Sequence, residues 1–116
     1  MNSREDAANA ATDGASEARY FFCRLLPPRP TFVLDMTDAE RTIMETHAAY
    51  WAGYAERGVA VIFGPVADPA GPWGLGIVRA TNEAEVASLQ ANDPAIAAGI
   101  GMRYETLPLL RAIVGR

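Results

Sequence analysis

The sequence predicts an α+β fold of the ferredoxin-like type, in which a four-stranded antiparallel sheet carries its helices on one face. Two observations predict it. Strand-like runs and helix-like segments follow one another in the order β, α, β, β, α, β. The chain has 116 residues, half of them hydrophobic, which is enough for one domain with one core.

The N-terminal segment differs in composition from the rest of the chain. Residues 1–18 are small and polar, and we expect them to form a disordered tail ahead of a single domain at residues 19–116. No segment approaches the roughly 18 apolar residues of a membrane span. These features favour a soluble cytoplasmic protein with no membrane partner.

Runs of β-branched and aromatic residues predict the strands. The first run ends at a stiff segment that begins with Pro27, and a loop with three prolines separates the second run from the third. The predicted strands cover residues 20–26, 59–63, 73–79 and 100–107.

Capping signals predict where the helices begin and end. Thr37 and Glu40 have the spacing of a capping box, so a helix is expected from Thr37 to about Arg57, where Gly58 supplies a left-handed stop.

A second helix is expected from Asn82 to about Ala91. After it, Asp93 and Pro94 have the sequence of an N-cap and a first helical residue, and they predict a short extra helical turn that Gly99 closes. This cap explains Asp93 without any catalytic role.

The sheet face opposite the helices has no cover in this topology, because right-handed crossovers place both helices on the same side. We assign to that face four aromatic side chains that are too apolar for open solvent, namely Tyr20, Phe22, Trp73 and Tyr104. The predicted partner is therefore a second copy of the chain, packed sheet to sheet.

Charge and composition exclude several classes of function. The net charge of −4 argues against nucleic-acid partners. All ten basic residues are arginines, so no lysine is present for Schiff-base chemistry. With one cysteine and one histidine there is no cluster at the spacing of a zinc site, and we expect neither a metal nor a cofactor.

His47 is the residue most suited to proton transfer. Helical spacing places it on one stripe with Ile43, Tyr50 and Tyr54, beside Trp51, so it faces inward. An imidazole titrates near pH 6.5 in model compounds and can take or give a proton at neutral pH. The alternative is a core histidine that is hydrogen-bonded to a neighbour.

A carboxylate in the loop from Gly64 to Gly71 could orient that imidazole. If Asp68 accepts the second ring N–H, the two residues form a catalytic His–Asp dyad. The alternative is structural, since Asp68-Pro69-Ala-Gly71 also has the sequence of a type I turn.

Two further residues are candidates for binding a substrate. Arg24 lies inside an otherwise apolar strand and either holds an anionic group or pairs with Glu105 on the last strand. Tyr50 is one helical turn from His47 and could line the same cavity.

The sequence as a whole resembles the YCII-related family over about residues 19–108. The resemblance is carried by the order and spacing of an aromatic first strand, Met44-Glu-Thr-His47 with Tyr50-Trp51, Gly64-Pro65 with Asp68, Gly74, and Asp93-Pro94 with Gly99. It implies a dimeric α+β barrel with an active site at His47 and Asp68, and it strengthens the dyad hypothesis.

The resemblance also implies a reaction class. Some members of the family act as dehydrochlorinases on hydroxylated chloroaromatic compounds, and the wider superfamily includes muconolactone isomerases. We therefore expect a lyase or isomerase that needs no cofactor and moves a proton on a small oxygenated ring or enol compound. The alternative is a non-catalytic module that binds a small molecule or a partner.

Overall fold

The computed structural model describes residues 18–115. Four strands form one antiparallel sheet in the order β2-β3-β1-β4, and this arrangement confirms the predicted α+β, ferredoxin-like fold. The strands are β1 (Arg19–Leu26), β2 (Ala60–Val66), β3 (Trp73–Ala80) and β4 (Arg103–Pro108). The predicted N-terminal tail lies outside the described residues, apart from residue 18.

Four helices complete the described part of the chain: α1 (Phe32–Asp35), α2 (Asp38–Glu56), α3 (Glu83–Ala91) and α4 (Pro94–Ala97). The capping box predicted for α2 is present, because the Thr37 hydroxyl accepts from the Glu40 backbone N–H while the Glu40 carboxylate accepts from the Thr37 N–H. Asn82 caps α3 and Asp93 caps α4, as the sequence indicated.

Two features differ from the prediction. Helix α1 was not expected, and it follows the proline-rich segment directly. Strand β4 begins at Arg103 rather than at residue 100, since Gly99 and Gly101 have φ angles of 66° and 98°, which an L-residue in a strand does not adopt.

The inner face of the sheet packs against the helices. In β1 the alternate residues Phe21, Cys23 and Leu25 are buried, and the first two belong to a core that includes Trp51 of α2 and Val86 of α3. This period-2 pattern sets the two faces of the sheet apart along the whole strand.

The outer face carries the other residues of each strand. Phe22 and Trp73 lie there with their ring centroids 6.2 Å apart, and Tyr20 shares their side of β1. Tyr104 does not, so its assignment to this face was wrong. It is in register with Leu25 of β1 and therefore projects to the inner face, toward the helices.

Candidate active site

A cavity of about 300 Å³ lies between the inner face of the sheet and α2. Its lining on the sheet side includes Gly74 and Gly76, whose lack of side chains leaves the space open. Phe32 and Val33 of α1 contribute to the lining next to α2. Most of the lining is apolar, so a bound molecule would be largely removed from water.

His47 reaches this cavity because of its position on α2. The helix contributes Met44, His47, Ala48 and Trp51 to the lining, which is the spacing of a single helical face. The His47 side chain is only 16% exposed. The sequence prediction that it faces inward is confirmed.

The imidazole of His47 is held by Asp93. Its Nδ1 lies 2.9 Å from both carboxylate oxygens of Asp93, a residue with no exposed surface. Asp93 precedes α4 and comes 46 positions after the histidine in sequence, so this pairing depends on the packing of α4 against α2.

Three more donors surround the same carboxylate. The Tyr104 hydroxyl donates to Oδ2 at 2.6 Å, the Trp51 indole N–H donates to Oδ2 at 2.9 Å, and the backbone N–H of Ala95 donates to Oδ1 at 2.9 Å. Trp51 also lies 3.2 Å from the Tyr104 hydroxyl oxygen. A buried carboxylate is tolerated when its lone pairs are satisfied in this way.

These contacts determine the charge of Asp93. Burial alone would raise the pKa of its carboxyl, but the hydrogen bonds from His47, Tyr104 and Trp51 outweigh burial and hold that pKa below its usual range. The pKa of Tyr104 is raised, first by burial and then by its hydrogen bond to Asp93. Asp93 is thus an anion at neutral pH, and Tyr104 is a neutral donor.

An ionised Asp93 fixes the tautomer of His47. Because a carboxylate can only accept, Nδ1 must carry the hydrogen, and Nε2 of the neutral ring is left with its lone pair. Nε2 has no hydrogen-bond partner among residues 18–115. His47 therefore offers one proton acceptor to a molecule in the cavity.

The dyad predicted between His47 and Asp68 is not formed. Asp68 lies in the β2–β3 loop, where its carboxylate accepts from the backbone N–H of Ala70 at 2.8 Å and from the indole N–H of Trp73 at 2.9 Å. These two donors lower the pKa of Asp68. The turn that was the structural alternative is present, with the Gly71 N–H donating to the Asp68 carbonyl oxygen.

Arg24 lies on the opposite side of the sheet from the cavity. Its neighbours Cys23 and Leu25 line the cavity, so alternation places Arg24 on the outer face, where its guanidinium stacks 4.3 Å from the Trp73 ring centroid. Glu105 is opposite Arg24 in register, yet its carboxylate pairs with Arg103 at 3.4 Å. Among residues 18–115, Arg24 forms no ion pair with Glu105 and does not line this cavity.

Tyr50 points toward α3 and not toward His47. Its hydroxyl donates to the backbone carbonyl oxygen of Leu89 at 2.6 Å. Burial, followed by the neighbouring Tyr54, raises the pKa of Tyr50. Its contacts are those of a structural residue that joins two helices.

One feature of the sequence indicates that His47 shares a buried acceptor with Trp51. His47 and Trp51 are four residues apart on α2, and both present an N–H to the protein interior, so a single buried acceptor can serve both. Asp93 was identified as a helix cap, which it is, but a cap uses only part of a carboxylate's accepting capacity.

The part of the chain that the structure describes has neither a metal-binding cluster nor a membrane-spanning helix. Residues 18–115 contain no group of three or more His, Cys, Asp or Glu side chains arranged to hold a metal ion. None of the helices in this part of the chain has the length and apolar character needed to cross a membrane.

Comparison with known proteins places the chain in a family. No curated protein matches it. Among solved structures, an uncharacterized protein from Thermotoga maritima is similar with 13% sequence identity and a TM-score of 0.45, over 80% of this chain and 99% of that one. The model of the YCII-related domain matches residues 20–109. Since this match spans most of the sequence, the chain belongs to the YCII-related domain family.

Proposed function

We propose that the protein is a lyase or isomerase that needs no cofactor and moves a proton on a small oxygenated ring or enol compound. The observation that carries the proposal is the environment of His47, which lines an apolar cavity while its Nδ1 is held by the buried carboxylate of Asp93. A positioned imidazole with one free nitrogen is the usual general base in such reactions.

The proposed chemistry uses each nitrogen of the ring differently. Nε2 takes a proton from the substrate, which leaves an anionic substrate and an imidazolium. The positive charge on the ring is stabilised by Asp93 at 2.9 Å, and Nε2 then returns the proton to another atom of the substrate or leaving group. The apolar lining strengthens this electrostatic interaction by excluding water.

Tyr104 and Trp51 act as positioning residues in this scheme. Both donate to Asp93 Oδ2, so they hold the carboxylate in its ionised form and fix its orientation toward His47. Neither needs to touch the substrate for this role, although both line the cavity.

The test is replacement of His47 by Gln. A panel of hydroxylated aromatic compounds and lactones is first screened for turnover by ultraviolet absorbance. For any substrate found, His47→Gln should reduce kcat by at least about 100-fold, the lower end of general acid–base contributions. Glu45→Gln, on an exposed position of the same helix, is the matched control and should retain the wild-type rate. An unchanged kcat for His47→Gln with a folded protein would rule out the proposal.

A second candidate function is binding without reaction. The specific observation is the cavity lining, which consists mostly of apolar side chains and would retain an apolar ligand without any chemistry. Mass spectrometry of the recovered compound distinguishes binding without reaction from catalysis. A compound that raises the Tm and is recovered unchanged after long incubation supports binding.

We also propose that the partner of the outer face is a second copy of the chain. Large apolar residues are exposed there, including Ile62 at 55% and Leu107 at 64%, alongside the aromatic pair of Phe22 and Trp73. A contiguous exposed apolar surface of this kind favours association.

Sedimentation velocity tests the proposed dimer. The wild-type chain should sediment near twice 12.4 kDa at micromolar concentration, and Ile62→Glu with Leu107→Glu should convert it to a monomer. Leu34→Glu, at an 86% exposed position of α1 away from the sheet, is the matched control and should remain dimeric. A stable wild-type monomer contradicts the proposal.

A further inference from the structure

We infer that the cavity beside His47 selects uncharged ring compounds that donate an O–H group, such as phenols and enols, and rejects carboxylates and phosphates of the same size. This inference rests on the proposed function, because it takes the cavity as the substrate site. It goes further by defining which charge and which hydrogen-bonding group the substrate must have.

The charge of the lining supports this selection. Among residues 18–115, no arginine lines the cavity, and the titratable side chains that line it are Cys23, His47 and Tyr104. Burial raises the pKa of the Cys23 thiol and of the Tyr104 hydroxyl, so both are neutral at pH 7. The charge at the site therefore depends on His47 and on the Asp93 carboxylate behind it.

While Asp93 is ionised, as it is at neutral pH, the His47–Asp93 pair carries no net positive charge. With a neutral imidazole the pair has a charge of −1, and with an imidazolium its charge is zero. A ligand carboxylate at Nε2 would therefore lose its hydration without gaining a compensating cation. The fully buried position of Asp93 keeps its negative charge close to the ligand and away from solvent screening.

The same pair selects a hydrogen-bond donor. Nε2 of the neutral ring is an acceptor, because Nδ1 holds the hydrogen that is shared with Asp93. A ligand hydroxyl satisfies this acceptor, whereas an ether or a carbonyl leaves it unpaired at the cost of a buried polar group. The hydroxyl proton is then the one that His47 is placed to remove.

The cavity volume limits the ring system. An engineered cavity of about 150 Å³ takes up benzene, so about 300 Å³ has room for one substituted ring or two fused rings. Gly76 is essential to this space. Within residues 18–115, a Cβ atom at that position would meet only Cys23, at 3.8 Å from its Cβ and 3.9 Å from its carbonyl oxygen, and would otherwise occupy the cavity.

Three probes of equal ring size test the inference by isothermal titration calorimetry at pH 7. They are 2-naphthol, which is an uncharged donor, 2-methoxynaphthalene, which lacks the donor, and 2-naphthoate, which is an anion. We expect 2-naphthol to bind, with 2-methoxynaphthalene at least about 5-fold weaker and 2-naphthoate at least about 10-fold weaker. The inference is overturned if 2-naphthoate binds as tightly as 2-naphthol, or if 2-naphthol does not bind at millimolar concentration.

The location of binding is determined from the NMR signal of His47 and from variants at Gly76. His47 is the only histidine in the chain, so its Hε1 proton gives one unambiguous NMR resonance that should shift with 2-naphthol. Gly76→Val should weaken 2-naphthol binding at least about 10-fold. Gly76→Ala should weaken binding less, and its added Cβ would make only ordinary van der Waals contact with Cys23 among the described residues. Gly53→Ala, where an added Cβ meets no atom of the described residues within 4 Å, is the control with unchanged affinity.

Failure of the inference and failure of the proposed function are distinguishable. The probes measure binding selectivity without turnover, whereas His47→Gln measures catalysis. Selective binding of 2-naphthol together with an unchanged rate in His47→Gln would leave the inference standing and remove the enzyme proposal. Equal binding of the anion would remove the inference whatever the effect on rate.

Discussion

The molecule contains two Asp-Pro corners that are almost identical in local chemistry and opposite in environment. Asp68-Pro69 turns the chain between β2 and β3, and Asp93-Pro94 opens α4. Each carboxylate accepts from the backbone N–H two residues later, and each also accepts from an indole N–H at 2.9 Å. Each tetrapeptide alone has a complete local explanation, as a turn for Asp68 and as a helix cap for Asp93.

Burial separates them. Asp68 is partly exposed and its remaining accepting capacity faces solvent, whereas Asp93 has no exposed surface and must find its partners within the protein. His47 and Tyr104 supply those partners. A capping aspartate thus becomes a candidate site residue only when it is buried, because its unused lone pairs then require donors.

The largest expected effect is that of Asp93→Ala. The change leaves the N–H and O–H groups of His47, Trp51 and Tyr104 without their acceptor in a buried site. We expect the free energy of unfolding to fall by about 3–5 kcal/mol, the usual cost of breaking a buried charged network. Urea denaturation measures it. A loss below about 1 kcal/mol would mean that Asp93 is an ordinary helix cap.

The pH dependence of stability is the next effect in size. The folded-state pKa of Asp93 lies below its unfolded value of about 3.9, so its stabilising contribution is complete above that value. The contribution is lost as the pH falls through the folded pKa. Urea denaturation between pH 7 and pH 2 should therefore show a steeper acid loss for the wild type than for Asp93→Asn.

Asp68→Asn is the matched comparison for the acid series, since the pKa of Asp68 is also lowered. Because Asp68 is accessible to solvent, its variant should follow the wild-type acid profile more closely than Asp93→Asn does. If the acid loss of stability is reduced equally in Asp68→Asn and Asp93→Asn, then Asp68 and Asp93 contribute equally to the pH dependence of stability.

The smallest expected effect is that of Asp68→Ala. The change removes one hydrogen bond within the turn and one to Trp73, both at a position where water can replace the lost acceptor. We expect a loss of roughly a third or less of that for Asp93→Ala, measured in the same urea titration. If Asp68→Ala lost more free energy of unfolding than Asp93→Ala, then Asp68 and not Asp93 would be the more important of the two carboxylates for stability.

Local signals predicted most of the fold. The capping box at Thr37 and the caps at Asn82 and Asp93 each involve residues within a few positions of one another, and all three form as expected. The order of strands and helices followed from the same local patterns, and with it the fold class.

The candidate site was harder to predict because it depends on distant contacts. His47 was identified from helical spacing, but its partner comes 46 residues later and competes with Asp68, which has the same local sequence features. Tyr104 was assigned to the wrong face because alternation within a strand does not show which set of side chains faces the helices, and the pairing of β4 with β1 was needed to fix its direction.

The alternation of side chains along β1 limits which sequence changes the strand can tolerate. Its residues alternate between the cavity wall, at Cys23 and Leu25, and the opposite surface, at Arg24. Insertion or deletion of one residue would exchange the two sets, turning the guanidinium into the apolar cavity and the wall residues outward. The strand can therefore vary in side chains, but its length is fixed by the need to keep two unlike surfaces apart.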